Sequence, residues 1–341
     1  MNAGLIVAIC LGAIALVAFA VVARFGLTRA SNMKAEVRRA KSAIAASDAV
    51  FAWTSPGART TFTVLVENHA GEGLDVLGIQ HGISILAERG GLSFILDLGA
   101  DDLYSRNASA LGQDLGDVSF AFLSHGHSDH GGGLGHFLTA NSSAAIYVTR
   151  QAMTGRYVAK IADVIRKDIS LDGSLVNRYP DRFVFPSTTT EIAPDLFVVP
   201  TITRRHRLPA GNGNLFKKES GTLVADDFDH ESLLAIRDSD GLIIFSGCCH
   251  NGILNVLDTI HAEFPDRRIK AVIGGFHLFS PTRAKIAEKP GDVRSLAEAL
   301  LASEGTLYIT GHCTGTEAYG ILKEILGDRL AYFSTGRTFA L

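Results

Sequence analysis

The order of apolar and polar positions divides the chain into three stretches of different character. Ala3 through Ala23 is an uninterrupted uncharged run rich in Leu, Ile, Val, Ala and Phe. At ~1.5 Å per residue it would span about 31 Å, the thickness of a bilayer's hydrocarbon core. It predicts a transmembrane anchor over residues 1–24. A cleavable signal peptide is the competing reading, through Ala18-Phe19-Ala20, but the run lacks a basic start and is long for one. Residues 25–56 follow as a juxtamembrane helix and linker. From Arg29 to Ala46 they are basic and Ala-rich, without Pro or Gly, until Thr54-Ser55-Pro56-Gly57 breaks the pattern. Arg24, Arg29, Lys34, Arg38, Arg39 and Lys41 lie on this side of the apolar run, against Glu36 alone. The positive-inside rule then predicts a single-pass membrane protein with its domain, residues 57–341, in the cytoplasm.

Within 57–341 the pattern changes to short apolar runs between Gly-rich turns. Residues 61–66, 83–87, 92–96, 118–123 and 145–149 read as strands, as do 196–199, 222–225, 233–236, 242–245, 271–273 and 307–309. Their β-branched and aromatic content supports that reading. Helical periodicity intervenes near 133–140, 252–264, 291–303 and 315–326. Strands in two groups with helices between them predict an α/β (α+β) fold, an αββα sandwich of two mixed sheets flanked by helices. Residues 155–195 have mixed character and fit a cap or insertion.

Composition narrows the class. A chain of 341 residues with 47% hydrophobic content buries a large core in one domain. A net charge of −3 argues against a nucleic-acid-binding surface. The four cysteines do not form a disulfide framework: Cys10 lies in the N-terminal apolar run, and Cys248, Cys249 and Cys313 sit beside histidines. That placement predicts a reducing compartment and thiols near metal.

The chemistry is concentrated in Ser124-His125-Gly126-His127-Ser128-Asp129-His130-Gly131-Gly132, directly after the apolar run 118–123. Three of the chain's 12 histidines fall there together with a carboxylate. His125 and His127, two apart in extended backbone, point the same way. Asp129 and His130, where the Gly-rich turn begins, are placed to serve a second ion beside the first. Imidazole and carboxylate suit two divalent cations, zinc foremost, with manganese, iron or nickel as other occupants.

The His-x-His-x-Asp-His pattern after a hydrophobic strand resembles the signature of the metallo-β-lactamase-fold hydrolases. Phe94-Ile95-Leu96-Asp97-Leu98-Gly99 resembles that family's strand ending in Asp-x-Gly. Three later motifs are Ser246-Gly247-Cys248-Cys249-His250-Asn251-Gly252, Gly274-Gly275-Phe276-His277-Leu278 and Thr310-Gly311-His312-Cys313-Thr314-Gly315. With Asn107-Ala108 and Leu111-Gly112 they resemble the dihydropterin-ribofuranosyl-aminobenzene-phosphate synthase-like branch. The resemblance covers roughly residues 60 to 341.

His312, after the strand 307–309, resembles the fold's last ligand histidine, and His250 occupies a similar strand end. The expected metal ligands are therefore His125, His127, Asp129, His130, His250 and His312. Many members of the family carry Asp after Ser/Thr-Gly where this chain has Cys248, so a thiolate or a bridging hydroxide takes that place. Asp227, Asp229 and His230 are candidates for the family's earlier histidine. Asp97 is either a support for a ligand histidine or a turn residue. His277 is expected to contact substrate rather than metal, and Asp129 and His277 are the expected catalytic residues.

Such a site predicts a hydrolase in which metal-bound hydroxide attacks a small ester, phosphoester or lactone, anionic ones included. A pterin-related transferase, as the branch label implies, is one alternative. A non-catalytic metal-binding membrane sensor is another. A di-iron oxidoreductase is disfavoured, because the superfamily's diiron flavoproteins carry Glu where this chain has His127. Specificity is expected in loops 68–82, 155–195 and 203–220. The last of these contains Arg204-Arg205-His206-Arg207, read as a solvated charged loop ahead of an anion site.

Overall fold

In the computed structural model of the chain, residues 3–48, 59–161 and 165–341 are described, the side chains of 3–17, 43 and 46–48 excepted. Alternation along the strands builds three apolar layers. In Phe94-Ile95-Leu96 and Phe120-Ala121-Phe122, the outer residues enter one core and the middle residue another. Leu196-Phe197-Val198-Val199 and Leu242-Ile243-Ile244-Phe245 alternate in the same way between the shared core and a third. Strands buried on both faces explain why these segments read as continuous apolar runs.

The shared layer lies between two seven-stranded sheets. The first runs Thr338–Ala340, Thr60–Val66, Ser84–Arg89, Leu92–Leu96, Phe120–Phe122, Ala145–Tyr147, Phe183–Val184. The second runs Leu330–Tyr332, Leu307–Thr310, Ile269–Ile273, Gly241–Phe245, Leu233–Asp238, Leu196–Val199, Thr190–Ala193. Both are mixed: Leu92–Leu96 and Phe120–Phe122 pair in parallel, as do Gly241–Phe245, Ile269–Ile273 and Leu307–Thr310. Helices Leu103–Ala110 and Leu134–Ala140 cover the first sheet; Ile253–Glu263, Pro290–Leu301 and Thr316–Leu326 cover the second. This is an α/β metallo-β-lactamase-like architecture. The parallel strands all end at one edge, which is where open α/β sheets place their ligands.

Two features lie outside the sandwich. The segment of mixed character contributes Tyr157–Ile161 and Ile165–Asp168 to a separate antiparallel sheet, completed by Leu215–Glu219 and Thr222–Ala225. Its backbone reaches the histidine loop through a bridge between His127 and Ser170.

The second feature is a departure from expectation and corrects the membrane reading. Of the expected anchor and linker, the described part forms one helix, Ala3–Asp48, and residues 1–2 and 49–56 lie outside the described residues. Among the described residues no helix is long and apolar enough to cross a membrane, and the single-pass placement with a cytoplasmic domain falls with that finding. The side chains of residues 3–17, where most of the apolar run lies, are outside the described residues. The later turns of the helix carry the charged residues and dock on the domain. Ala40 and Ile44 enter the core of the second sheet. Glu36 accepts the Thr316 backbone N–H at 2.8 Å, and Asn32 donates to the Arg283 carbonyl at 2.9 Å.

Candidate metal centre

The loops after the parallel strands bring six histidines, an aspartate and two thiols into one buried volume. Three positions hold their side chains there through unusual backbone: Asp97, His277 and His312 have φ of 54°, 50° and 49°. Non-glycine residues are uncommon in this left-handed region and cluster where surrounding structure imposes it. Gly247, with φ 57°, is required for a further reason. A Cβ there would overlap the Ser124 hydroxyl, which supports the ring of His125.

The imidazoles are oriented from behind. Ser124 donates its hydroxyl to Asp97 Oδ2 at 2.7 Å, so its oxygen accepts from His125 Nδ1 at 2.9 Å. His130 Nδ1 meets Asp97 Oδ2 at 2.6 Å. His250 Nδ1 lies 3.0 Å from Asn212 Oδ1, and His312 Nδ1 lies 3.0 Å from Asn68 Oδ1. In each case the acceptor fixes the proton on Nδ1 and leaves the Nε2 lone pair free. Those free nitrogens face one another: His125 Nε2 and His250 Nε2 are 3.3 Å apart, as are His130 Nε2 and His312 Nε2.

Two carboxylates hold the backbone of the later histidines in the same manner. Glu231 accepts the His250 N–H at 2.6 Å and the Asn251 N–H at 2.8 Å. Glu67 accepts the His312 N–H at 2.7 Å and the His69 N–H at 2.7 Å. Asn212 and Asn68 complete the two clasps by donating to the carbonyls of His250 and His312. Burial pushes the Glu67 carboxyl up to about 8 against these donors, and raises that of Glu231 as well.

The electrostatics follow from burial and proximity. Burial, reinforced by neighbouring imidazoles, holds His125 and His250 well below the usual histidine range. It lowers His312 and His277 to about 3. For His130, burial is outweighed by Asp97 and Asp129, and its pKa is raised. Burial also opposes ionisation of Asp129, yet His130, His312 and His81 hold its carboxyl well below the usual carboxylate range. At neutral pH burial therefore keeps His125, His250, His277 and His312 as neutral imidazoles with lone pairs, beside an ionised Asp129.

The expected residues separate into two groups. His125, His127 and His250 place ligand atoms within 4.8 Å of one another. Asp129 Oδ2 lies 3.5 Å from His312 Nε2 and 3.8 Å from His130 Nε2, which makes the second group. Cys248 sits where the two meet, its Sγ 3.0 Å from His130 Nε2 and within reach of His125. Cys313 and Cys249 are also buried as free thiols. His277 packs its ring 4.1 Å from that of His250, and both its nitrogens are buried without a hydrogen-bond partner.

The candidates from the 227–230 stretch stand differently. His230 accepts from the Gly126 N–H through Nδ1 and directs Nε2 at Asp226 Oδ2, 3.2 Å away, so both nitrogens are used. Asp227 pairs with Lys217 at 2.7 Å, and Asp229 is exposed. Asp226, which sequence reasoning passed over, lies 3.7 Å from His127 Nε2. Glu67, Glu231, Asn68, Asn212 and His81 were passed over too, because none belongs to a histidine motif. Arg204 of the basic loop bonds Asn251, which shares the Glu231 clasp with His250, and Arg207 bonds Glu288.

The convergent donor set fits a group of divalent cations. His125 Nε2 and His250 Nε2, on two rings held neutral with their protons committed elsewhere, face each other at 3.3 Å and repel unless a cation lies between them. Imidazole, carboxylate and thiolate together suit zinc or a similar borderline ion.

The chain is similar to known proteins in sequence and in fold. Residues 80–209 match the metallo-beta-lactamase superfamily. Among curated relatives, 7,8-dihydropterin-6-methyl-4-(beta-D-ribofuranosyl)-aminobenzene-5'-phosphate synthase of Methanocaldococcus jannaschii is 25% identical over 256 residues, 69% of this chain and 84% of the relative. An uncharacterized protein of the same organism is 26% identical over 277 residues, 77% of this chain and 94% of the relative. Among solved structures, Tm1679, described as a metal-dependent hydrolase of the beta-lactamase superfamily, superposes with a TM-score of 0.68 at 26% identity. That alignment covers 83% of this chain and 99% of Tm1679.

Proposed function

From the premise that this chain carries a metallo-β-lactamase superfamily domain, we propose that it is a metal-dependent hydrolase with a dinuclear centre. One ion would be held by His125, His127 and His250 and the other by Asp129, His130 and His312, with Cys248 between them. The observation that carries the reading is the pair of facing Nε2 contacts, each imidazole anchored from behind. Divalent cations in such a place acidify a water toward neutral pH and polarise the oxygen of an electrophile.

The chain's own residues supply the rest. Asp129 is the one ligand-type side chain of the two groups with appreciable exposure, about a quarter, so its carboxylate borders the cavity. It is placed to orient an incoming water and accept its proton. His277 lines the same cavity with two unpartnered nitrogens. As a neutral imidazole it can hydrogen-bond the substrate without giving up an existing hydrogen bond. Asp97, Glu67 and Glu231 bind nothing in the reaction; they hold the imidazoles at fixed positions. The substrate class is an ester, phosphoester or lactone.

A second reading, a pterin-related transferase, is favoured by the name of the Methanocaldococcus relative. A purely sensory metal site is disfavoured by the cavity that opens directly onto His127, Asp129, His250 and His312.

The test is metal content per chain on the purified full-length protein, offered zinc or manganese without chelator. Close to two ions are expected, and His127→Ala should lose at least one. A folded chain that holds no metal overturns the proposal. Product analysis on an arylamine acceptor separates the readings: condensation favours the transferase, release of acid and alcohol the hydrolase.

A further inference from the structure

The cavity above the histidines is larger and more apolar than the floor requires. Its volume is about 990 Å³, at the top of the range of about 300–1,000 Å³ for small-molecule sites. One wall is the N-terminal helix, which contributes Phe25, Met33, Val37 and Ile44. The facing wall is the antiparallel cap with its flanking residues, which contributes Ile161, Ile169 and Leu215. Between them lie His127, Asp129, His250 and His312, so floor and walls belong to one space.

The helix is a fixed wall and not a loose appendage. Glu36 and Asn32 bond to the domain, and Arg39 pairs with Glu317 at 3.3 Å. Yet Met33 and Val37 remain 40% and 44% exposed, and Ile79 on the rim 53%. Apolar side chains held rigidly around an opening and left in water mark a surface awaiting an apolar group. Charge on the walls is balanced: Arg29, Lys41 and Lys167 stand with Glu36, Glu72 and Asp75, so the walls do not select a polyanion.

We propose that the substrate is an amphiphile, with a hydrolysable polar head at the histidine floor and an extended apolar chain between the N-terminal helix and the cap. This rests on the hydrolase reading of the floor. A small polar substrate would touch the floor alone and leave the walls wet. A chain of alkyl, acyl or isoprenoid type gains roughly fourfold in affinity for each methylene it buries there.

Calorimetric titration of the full-length, zinc-loaded protein with ethyl phosphate and octyl phosphate, below the micellar concentration, tests this. Octyl phosphate should bind on the order of a hundredfold more tightly, since several of its methylenes reach the walls. Met33→Glu and Val37→Glu, at exposed positions that tolerate charge, should reduce that preference to under about tenfold. Their metal content should not change, and repulsion of the phosphate head by the new carboxylate weakens both ligands alike and cancels in the ratio. Equal affinity for the two phosphates in protein holding two ions overturns the amphiphile and leaves the metal centre standing. An undiminished preference in both variants also overturns it, because the chain then binds elsewhere. A chain-length preference in protein that holds no metal overturns the hydrolase reading and keeps the cavity.

Discussion

On the floor of the cavity His312 has its backbone N–H, its carbonyl and its ring nitrogen each engaged, by Glu67 and Asn68. On the wall, Val37 presents an apolar side chain to solvent, and Ile79 on the rim is 53% exposed. The floor is over-determined and polar; the walls are under-packed and apolar. A centre that must hold several donors within a few tenths of an ångström needs such redundant support. Walls that receive a flexible ligand need only shape and apolar area. The difference teaches where substitutions should act: on metal affinity at the floor, on substrate preference at the walls.

Acid is the broadest way to break the floor. Burial holds His277 and His312 at about 3, far below the ordinary 6.5 of the unfolded chain. A group whose folded pKa is depressed contributes stability that is present above its unfolded value and lost as pH falls toward the folded one. In metal-free protein, stability should therefore drop between pH 6.5 and about 3, by about 3 kcal/mol per histidine by pH 4.3. Denaturant titration at stepped pH measures it. A stability that stays flat to pH 4 would mean that these rings are not buried neutral.

Asp97→Asn should act next most strongly. Asp97 accepts from the Ser124 N–H, the Ser124 hydroxyl and His130 Nδ1, so an amide there turns one acceptor into a donor facing donors. Loss of such a partner typically costs 10–100-fold in metal affinity. Chelator competition should read the larger loss at the second group, through His130, and a smaller one at the first, where Asp97 reaches His125 only through Ser124. Glu67→Gln and Glu231→Gln should each cost about tenfold, at the low end of that range, because only the backbone of one histidine is released. Equal loss in both groups from either variant would break the division of the floor into two clasps.

The same contrast explains what the sequence made legible. The histidine loop could be read because its donors are adjacent in the chain, and the strands because both faces are buried and every position is apolar. The clasps could not: Glu67 lies 245 positions from the N–H it holds, in a segment with no motif. His230 sat near a family position and was a reasonable candidate, but its two nitrogens are spent on Gly126 and Asp226. Cap strands such as Ile165–Asp168, whose four residues are all exposed, carry no apolar alternation to detect. The N-terminal segment shows the opposite failure, since apolar length alone suggested a span and gave no hint that residues beyond Arg29 dock on the domain.

The smallest effect is expected on the cap. Lys167 is exposed on the strand Ile165–Asp168, and its side chain borders the cavity without joining the histidines. Lys167→Ala removes a charge that no buried partner needs, so folding stability should move by no more than about 0.5 kcal/mol. Metal content should stay at the wild-type value. A change confined to KM, of a few-fold and shrinking as salt is added, is what a screened surface charge near the substrate path can deliver. A fall in kcat or in bound metal would instead tie the cap to the floor through the His127–Ser170 bridge. The walls would then be part of the centre's support rather than a separate surface for the substrate.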